Sequence, residues 1–362
     1  MSVSLVSHIN EMSPSWFTAL LNDAQLLGGG GVRSVDLQPF GGGVMTSMVR
    51  AVLTYEDSGP QGPESLLVKF PSADEGNRGI AELMGLYELE VRFYRDVAPL
   101  LTELATPKCY FAEIEEGTGR FTLVLEDCSG NTRPGTMLTT LSVEECSAAL
   151  AELANFQTPL WNSPRLDSIS WLQDSTRTYA VFDAVSAGLE PFLKRFGPSL
   201  KEEYVELFKT VLPKAGEWVR SWQAPRVLQH GEFRAGNILL ATDASASPVI
   251  VIDFQTVRVG PPGVDLAYFM GGSMPAADRR QMEQKVVKSY HGQLVKAGIS
   301  DFSWEDCWQS YREGALYGVF LLVGMAGQVE ASERNDQVIL GLTRQFAEMA
   351  IDLESAAAAG LA

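Results

Sequence analysis

Apolar and polar positions follow two different rhythms along the chain. The first twenty-odd residues read as a short helix, with Ser13 as cap and Pro14 in the first turn, and Gly28 to Gly31 end it. Runs rich in Val, Leu, Thr and Tyr follow at Val32–Phe40, Val44–Tyr55 and Ser65–Phe70. The turn signals between them, Gly41-Gly42-Gly43 and Asp57-Ser58-Gly59-Pro60, predict an antiparallel meander. A long helical pattern spans Asp74–Ala98, and strand-like runs return at Tyr110–Ile114 and Arg120–Glu126. Past Asp127–Gly135 helical periodicity dominates, over Val143–Pro159, Trp171–Phe196, Leu200–Trp222, Ala276–Lys296, Trp304–Gly327 and Asn335–Ala357. The exception lies between Arg226 and Asp253, where two short β-rich pieces flank a polar loop. Strands first and helices second predict an α+β protein of two lobes, 1–127 and 128–362.

Composition narrows the function. The 362 residues fit two lobes at ~150 residues per domain. The apolar fraction of 46% and charged fraction of 20% are those of a chain with a real core. No run of ~18 apolar residues predicts a membrane span, and the N-terminus has no signal-like core. Cys109, Cys128, Cys146 and Cys307 stand far apart, which fits a reducing cytoplasm better than a disulfide framework or zinc ribbon. A formal charge of −17 argues against a nucleic-acid partner.

The chemistry concentrates in Gln229-His230-Gly231-Glu232-Phe233-Arg234-Ala235-Gly236-Asn237, a polar loop that enters the apolar run Ile238-Leu239-Leu240. After a turn, Val249-Ile250-Val251-Ile252 leads to Asp253-Phe254-Gln255. A hairpin of these runs presents the Asn237 carboxamide and Asp253 carboxylate as oxygen ligands of the kind Mg²⁺ takes. Phosphoryl transfer needs a carboxylate for the acceptor hydroxyl, Asn and Asp on metal, and a cation near the phosphate. Glu232, Asn237 and Asp253 supply the first two in the expected order, and Arg234 supplies a cation. Any one of them alone also fits a surface turn or strand end. Ser65–Phe70 carries a single lysine, Lys69. In the next helix Glu90 falls on the apolar stripe of Leu83, Leu86, Tyr87, Val91, Tyr94 and Val97, so it needs a cationic partner, and Lys69 is the obvious one. Gly42, Gly43 and Thr46, between two strands, fit either a loop over ATP phosphates or a plain hairpin. Trp304, Trp308, Tyr311, Tyr317 and Phe320 read as packing.

HGEFRAGNILL followed by VIDFQTVRVGPPGVDLAYF resembles the aminoglycoside phosphotransferase and choline kinase superfamily, most closely its ecdysteroid-kinase-like branch. The likeness is strong over about forty residues and weaker but ordered over most of the chain. It implies a protein-kinase-like fold, an N-lobe sheet with one helix, a mainly helical C-lobe, and ATP bound between the lobes. It implies structural roles for His230 and Asp265, a Lys69–Glu90 pair, and adenine held by backbone groups of Glu126 and Cys128.

Two positions depart from the family pattern: Glu232, where the family has Asp, and Asn155, where many relatives carry His, a minor change at a position that resembles a helix-packing site. Three readings follow. In the first, the chain is an ATP- and Mg²⁺-dependent kinase of a small-molecule hydroxyl, with Glu232 as base. In the second it is a nucleotide-binding regulator with weakened activity, and in the third a kinase-like scaffold with other chemistry.

Overall fold

The computed structural model describes residues 3–41, 44–56, 62–136, 139–223, 225–243, 247–325 and 332–362. Contacts divide the chain into two compact units, Met1–Thr132 with Ile252–Thr256, and Arg133–Val251 with Val257–Ala362.

The first unit is built on a five-stranded antiparallel sheet in the order β1-β2-β3-β5-β4. Its strands are β1 (Val32–Pro39), β2 (Thr46–Tyr55), β3 (Ser65–Pro71), β4 (Cys109–Glu115) and β5 (Arg120–Glu126). Helix α1 (Pro14–Asp23) buries Trp16, Phe17, Leu20 and Leu21 in a core shared with Val49, Ala51, Leu66 and Val68 of the sheet. Ser13 caps it, its hydroxyl accepting the Trp16 N–H.

The helical pattern over Asp74–Ala98 is not one helix. Helix α2 (Glu75–Met84) stops at Gly85, whose φ of 69° is left-handed, and α3 (Leu86–Arg92) starts immediately after it. A wide turn at Phe93–Val97 follows. The break removes Leu83 from the apolar stripe, and its side chain is 81% exposed. Leu86, Tyr87, Glu90, Val91, Tyr94 and Val97 stay buried.

The second unit is mainly helical. Its small strands are β6 (Thr132–Pro134, from Arg133 onward), β7 (Val227–Gln229), β8 (Ile238–Ala241), β9 (Val249–Val251) and β10 (Arg258–Gly260). Helix α4 (Val143–Gln157) is followed by α5 (Pro164–Ser168), α6 (Thr176–Val185), α7 (Leu189–Phe196), α8 (Glu202–Val211) and α9 (Ala215–Arg220). Then come α10 (Gly263–Ser273), α11 (Ala276–Lys296), α12 (Trp304–Gly314), α13 (Leu316–Met325), α14 (Glu333–Asp352) and α15 (Ser355–Ala358). Three helices expected to be long are interrupted. A tight turn at Ser186–Gly188 separates α6 from α7, and Leu212–Lys214, with Pro213 inside it, separates α8 from α9. Helix α12 ends at Gly314, which packs so closely on α10 that an added Cβ would lie 2.2 Å from the Gly263 carbonyl oxygen. The expected end of that third helix, Gly327, lies outside the described residues. The core draws on Phe182, Phe192, Phe208, Trp218, Phe320 and Phe346.

Candidate active site

In the first unit, β3 alternates its side chains and sends Lys69 inward, while α3, restarted at Gly85, turns Glu90 toward it. The Lys69 ammonium lies 2.7 Å from both Glu90 carboxylate oxygens and 3.3 Å from Asp253 Oδ1. Lys69 is 8% exposed and Glu90 1%, so the charges compensate one another with little help from water. Burial alone would lower the Lys69 ammonium, but the Glu90 and Asp253 carboxylates outweigh it and hold the group above its ordinary value. Burial pushes the Glu90 carboxyl up, against the pull of Lys69 and of the Phe254 N–H, which Glu90 accepts.

Asp253 adopts φ 71°, a conformation that a non-glycine residue takes at a cost of order 1 kcal/mol. Two neighbours fix it there. Phe254 stacks on Phe93 with centroids 3.8 Å apart and planes 13° apart, and Gln255 Nε2 donates to Asp253 Oδ2 at 3.1 Å. The Asp253 side chain is 24% exposed, against 2% for Glu90.

The other expected residues of this unit are spread along its strands. Gly42 and Gly43 lie outside the described residues. Thr46 opens β2, opposite Pro71 of β3. Tyr87, a core position by its place on the apolar stripe, also donates its hydroxyl to the Met45 carbonyl at 2.6 Å and accepts the Ser72 N–H at 3.2 Å. It thus fixes the strand ends beside the glycine run. The Glu126 side chain is exposed, and its backbone N–H donates to the Lys108 carbonyl at 2.8 Å. Cys128 is buried, its carbonyl accepts the Thr132 hydroxyl at 2.7 Å, and burial pushes its thiol up to about 12. Between them stands Asp127, which no motif or periodicity marks. It accepts from the Ser65 hydroxyl at 2.7 Å and the Ser129 N–H at 3.0 Å, and its carboxylate is ion-paired with Arg50 at 2.8 Å. Burial would raise its carboxyl, but the Ser129 and Ser65 hydrogen bonds and the Arg50 charge leave it below the ordinary range.

In the second unit the loop from His230 to Asn237 is tied at successive peptides. The buried Asp265, near the start of α10, accepts the His230 N–H at 2.6 Å and the Gly231 N–H at 2.9 Å. Burial raises its carboxyl, while His230, Arg258 and the two N–H groups pull it down. Gly231 has φ 83°, so glycine is required at the turn, and its carbonyl accepts the Tyr317 hydroxyl at 2.6 Å. The Glu232 N–H donates to His230 Nδ1 at 3.3 Å, and the Glu232 carbonyl accepts Asn237 Nδ2 at 2.9 Å. The amide of Asn237 is thereby oriented, with Oδ1 as its acceptor atom. Asn237 enters β8, whose Ile238 pairs with Val251 of β9, and Asp253 follows Val251 by two residues in the chain. At the start of the loop, Gln229 Nε2 donates to the Pro261 carbonyl at 2.7 Å and Gln229 Oε1 accepts Arg258 Nε at 2.9 Å. Arg234 lines a small apolar recess with Tyr268, Leu322, Leu342 and Phe346. Tyr317 and Gln229 had no local signal. Tyr317 is 86 residues from its partner and looks in sequence like any core aromatic.

Each unit therefore presents a set of polar groups: a buried ammonium between a buried and a partly exposed carboxylate in one, and a partly exposed carboxylate and guanidinium with a buried carboxamide on a braced loop in the other. No curated protein sequence matches the chain significantly. Among solved structures, an ADP-bound aminoglycoside phosphotransferase is similar at 18% identity and TM-score 0.50, covering 87% of this chain and 94% of its own. The GDP complex of a wild-type aminoglycoside 2′-phosphotransferase is similar at 14% identity and TM-score 0.52, covering 93% and 99%. Plasmodium vivax ethanolamine kinase is similar at 10% identity and TM-score 0.50, covering 90% and 86%. At these identities the likeness is one of fold, the two-lobed α+β fold of kinase-like phosphotransferases. The sequence profile of the ecdysteroid kinase-like family matches residues 41–159 and 177–299, and the chain belongs to that family.

Proposed function

We propose that this protein is an ATP- and Mg²⁺-dependent phosphotransferase that phosphorylates a hydroxyl of a small molecule. The observation that carries the reading is the Lys69 cluster: one buried ammonium, a buried carboxylate holding it from both oxygens, and a second carboxylate, Asp253, that keeps access to solvent. A purely structural ion pair needs only the first two. The third group suits a site where polyphosphate and a divalent cation complete the charge balance.

In this reading residues 1–127 bind the nucleotide and 128–362 carry catalysis and the acceptor. Lys69 contacts phosphate oxygens, and Glu90 keeps its ammonium charged and aimed. Thr46 borders the phosphates, and backbone groups of Glu126 and Cys128, braced by Asp127, face the base. Asn237 Oδ1 and the Asp253 carboxylate fit Mg²⁺, which takes one or two protein oxygens and leaves its other positions to phosphates and water. The metal would neutralise charge on the phosphates when bound. Glu232 orients the acceptor hydroxyl and takes its proton, and Arg234 stabilises charge on the transferring group or the loop. The four cysteines are free thiols, which fits the cytoplasm. Among the described residues no helix is long and apolar enough to cross a membrane.

The loop geometry bears on the Glu232 substitution. Its backbone is tied on both sides, through Asp265 and Tyr317 at Gly231 and through Asn237 at its own carbonyl. A longer side chain on a fixed backbone reaches farther, so the acceptor sits about 1.5 Å farther from the loop than it would for Asp.

The test is thermal stability with ATP and Mg²⁺ separately and together. A ligand specific for the native state at a hundredfold excess over Kd adds ~2.7 kcal/mol. The expected result is a shift that needs both components and disappears in Asp253→Ala, with ADP release on addition of a hydroxyl acceptor. No shift at millimolar nucleotide would overturn the reading. A shift without turnover would leave a nucleotide-binding regulator.

A further inference from the structure

Arg234 stands on the braced loop, but its side chain takes no part in the bracing. Among the described residues its guanidinium holds no carboxylate and no carbonyl, in a chain with 45 Asp and Glu against 28 Lys and Arg. Elsewhere Arg50, Arg226 and Arg279 each hold an acid, Asp127, Asp167 and Glu283. Arg234 is half-buried, and its nitrogens are not among the polar atoms shut off from solvent without a partner.

Tyr268, on α10, borders the same recess and gives an independent observation. Its ring is fixed: it stacks on Phe346 with centroids 5.3 Å and planes 13° apart, and meets Tyr317 edge-on at 5.2 Å. Phe346 reaches this place only because residues 271 and 318 are glycines, where an added Cβ would lie 2.5 and 2.2 Å from its ring. A tyrosine that is 7% exposed normally gives its hydroxyl a partner. Among the described residues Tyr268 has none, and its oxygen too is not among those shut off from solvent. Burial pushes the phenol up, the Glu232 charge adds to this, and Arg234 opposes it, so the group is a neutral O–H donor.

A guanidinium and a phenol O–H both donate, and their complement is an oxyanion. The transferring phosphate is one, but it has no hydrocarbon to set against Leu322, Leu342 and Phe346, which line the recess beside them. We propose that Arg234 and Tyr268 bind a carboxylate of the acceptor, which is therefore a hydroxy acid with a small apolar side chain. The recess, of about 20 Å³, has room for one methyl-sized group of that side chain. The proposal rests on the phosphotransfer reading for the role of the hydroxyl, and the carboxylate contact stands without it. During transfer Glu232 takes the hydroxyl proton, the hydroxyl oxygen forms its bond to the γ-phosphorus, and the electrons of the breaking P–O bond leave with ADP. The carboxylate is unchanged throughout.

The experiment titrates 2-hydroxy-4-methylpentanoate into the full chain by calorimetry, with its primary amide as the neutral isostere. Saturable binding with Kd of about 1 mM or tighter is expected for the acid, and binding about tenfold weaker for the amide. Arg234→Gln and Tyr268→Phe should each weaken the acid about tenfold and the amide less than about threefold, with unchanged circular dichroism. In ADP-formation assays Arg234→Gln should raise KM for the acid about tenfold and leave kcat within about twofold. Equal binding of acid and amide, no saturation by about 10 mM, or insensitivity to both substitutions would each overturn the assignment. So would a fall in kcat shared by acid and amide, which would put the guanidinium on the transferring phosphoryl group. Binding of the acid with this selectivity but no ADP formation would instead sink the phosphotransfer reading and leave the carboxylate site standing.

Discussion

Replacing Glu232 by Asp tests the pinned-loop argument most directly. The substitution restores the residue type of the family pattern, so a motif comparison predicts equal or better activity. The structure predicts the opposite. The His230 and Gly231 N–H groups are held by Asp265 at 2.6 and 2.9 Å, the Gly231 carbonyl by Tyr317 at 2.6 Å, and the Glu232 carbonyl by Asn237 at 2.9 Å. Moving this backbone forward by a methylene length would break several of these bonds, at roughly 1 kcal/mol or more each. The carboxylate instead retreats by ~1.5 Å. A misplacement of ~1 Å in a catalytic group costs on the order of 10²-fold, so kcat should fall by about that factor. KM for ATP should stay within about twofold, since Glu232 is assigned to the acceptor and not the nucleotide. The assay is ADP formation, with water alone and with a panel of alcohols. Adding Tyr317→Phe frees one tie, so the Glu232→Asp penalty should be smaller in that background, a coupling a double-mutant cycle reads directly. Undiminished turnover in Glu232→Asp would refute the reasoning, and so would an equal penalty in both backgrounds.

Two further outcomes follow from the first unit. Lys69→Met leaves Glu90 buried without its cation, so urea unfolding should show a loss of ~3–5 kcal/mol and the nucleotide-dependent thermal shift should vanish; a loss below about 1 kcal/mol would mean that Glu90 is neutral in the fold. Asp127 is held below its ordinary value, so its stabilising contribution is present above the unfolded value, near 3.8, and is lost as pH falls through the lower folded value. Urea midpoints for Asp127→Asn should therefore lie below the parent at neutral pH and converge on it below about pH 4; parallel curves would remove the assignment.

The parts of the fold and candidate site that were legible in the sequence are those encoded by short spacings. Lys69 stood out as the single lysine of an apolar strand-like run, helical periodicity placed Glu90, and chain order linked Glu232, Asn237 and Asp253. Gly85 shows the limit of periodicity. A single left-handed glycine splits one predicted helix and turns Leu83 to solvent, while the residues after it keep their inward face. Nothing in the apolar pattern marks that rotation, because glycine is neither apolar nor polar in it. The supporting groups were hidden for another reason. Tyr87, Tyr317 and Asp127 each bury most of their side chain and act through a terminal oxygen aimed at a backbone or side-chain group from another segment. Their sequence environment reports the burial and is silent about the oxygen.

This division bears on how Glu232 is read. The family resemblance marks Glu232 as standing where Asp is expected and suggests a defect. Whether the extra methylene is a defect depends on whether the backbone can move, and that is decided by Asp265, 34 residues from Gly231, and Tyr317, 86 residues away. Under the proposed function, with the backbone tied, the side chain's length is a dimension of the acceptor site, and an alcohol that suits Glu232 should be a poor fit for an Asp at the same position.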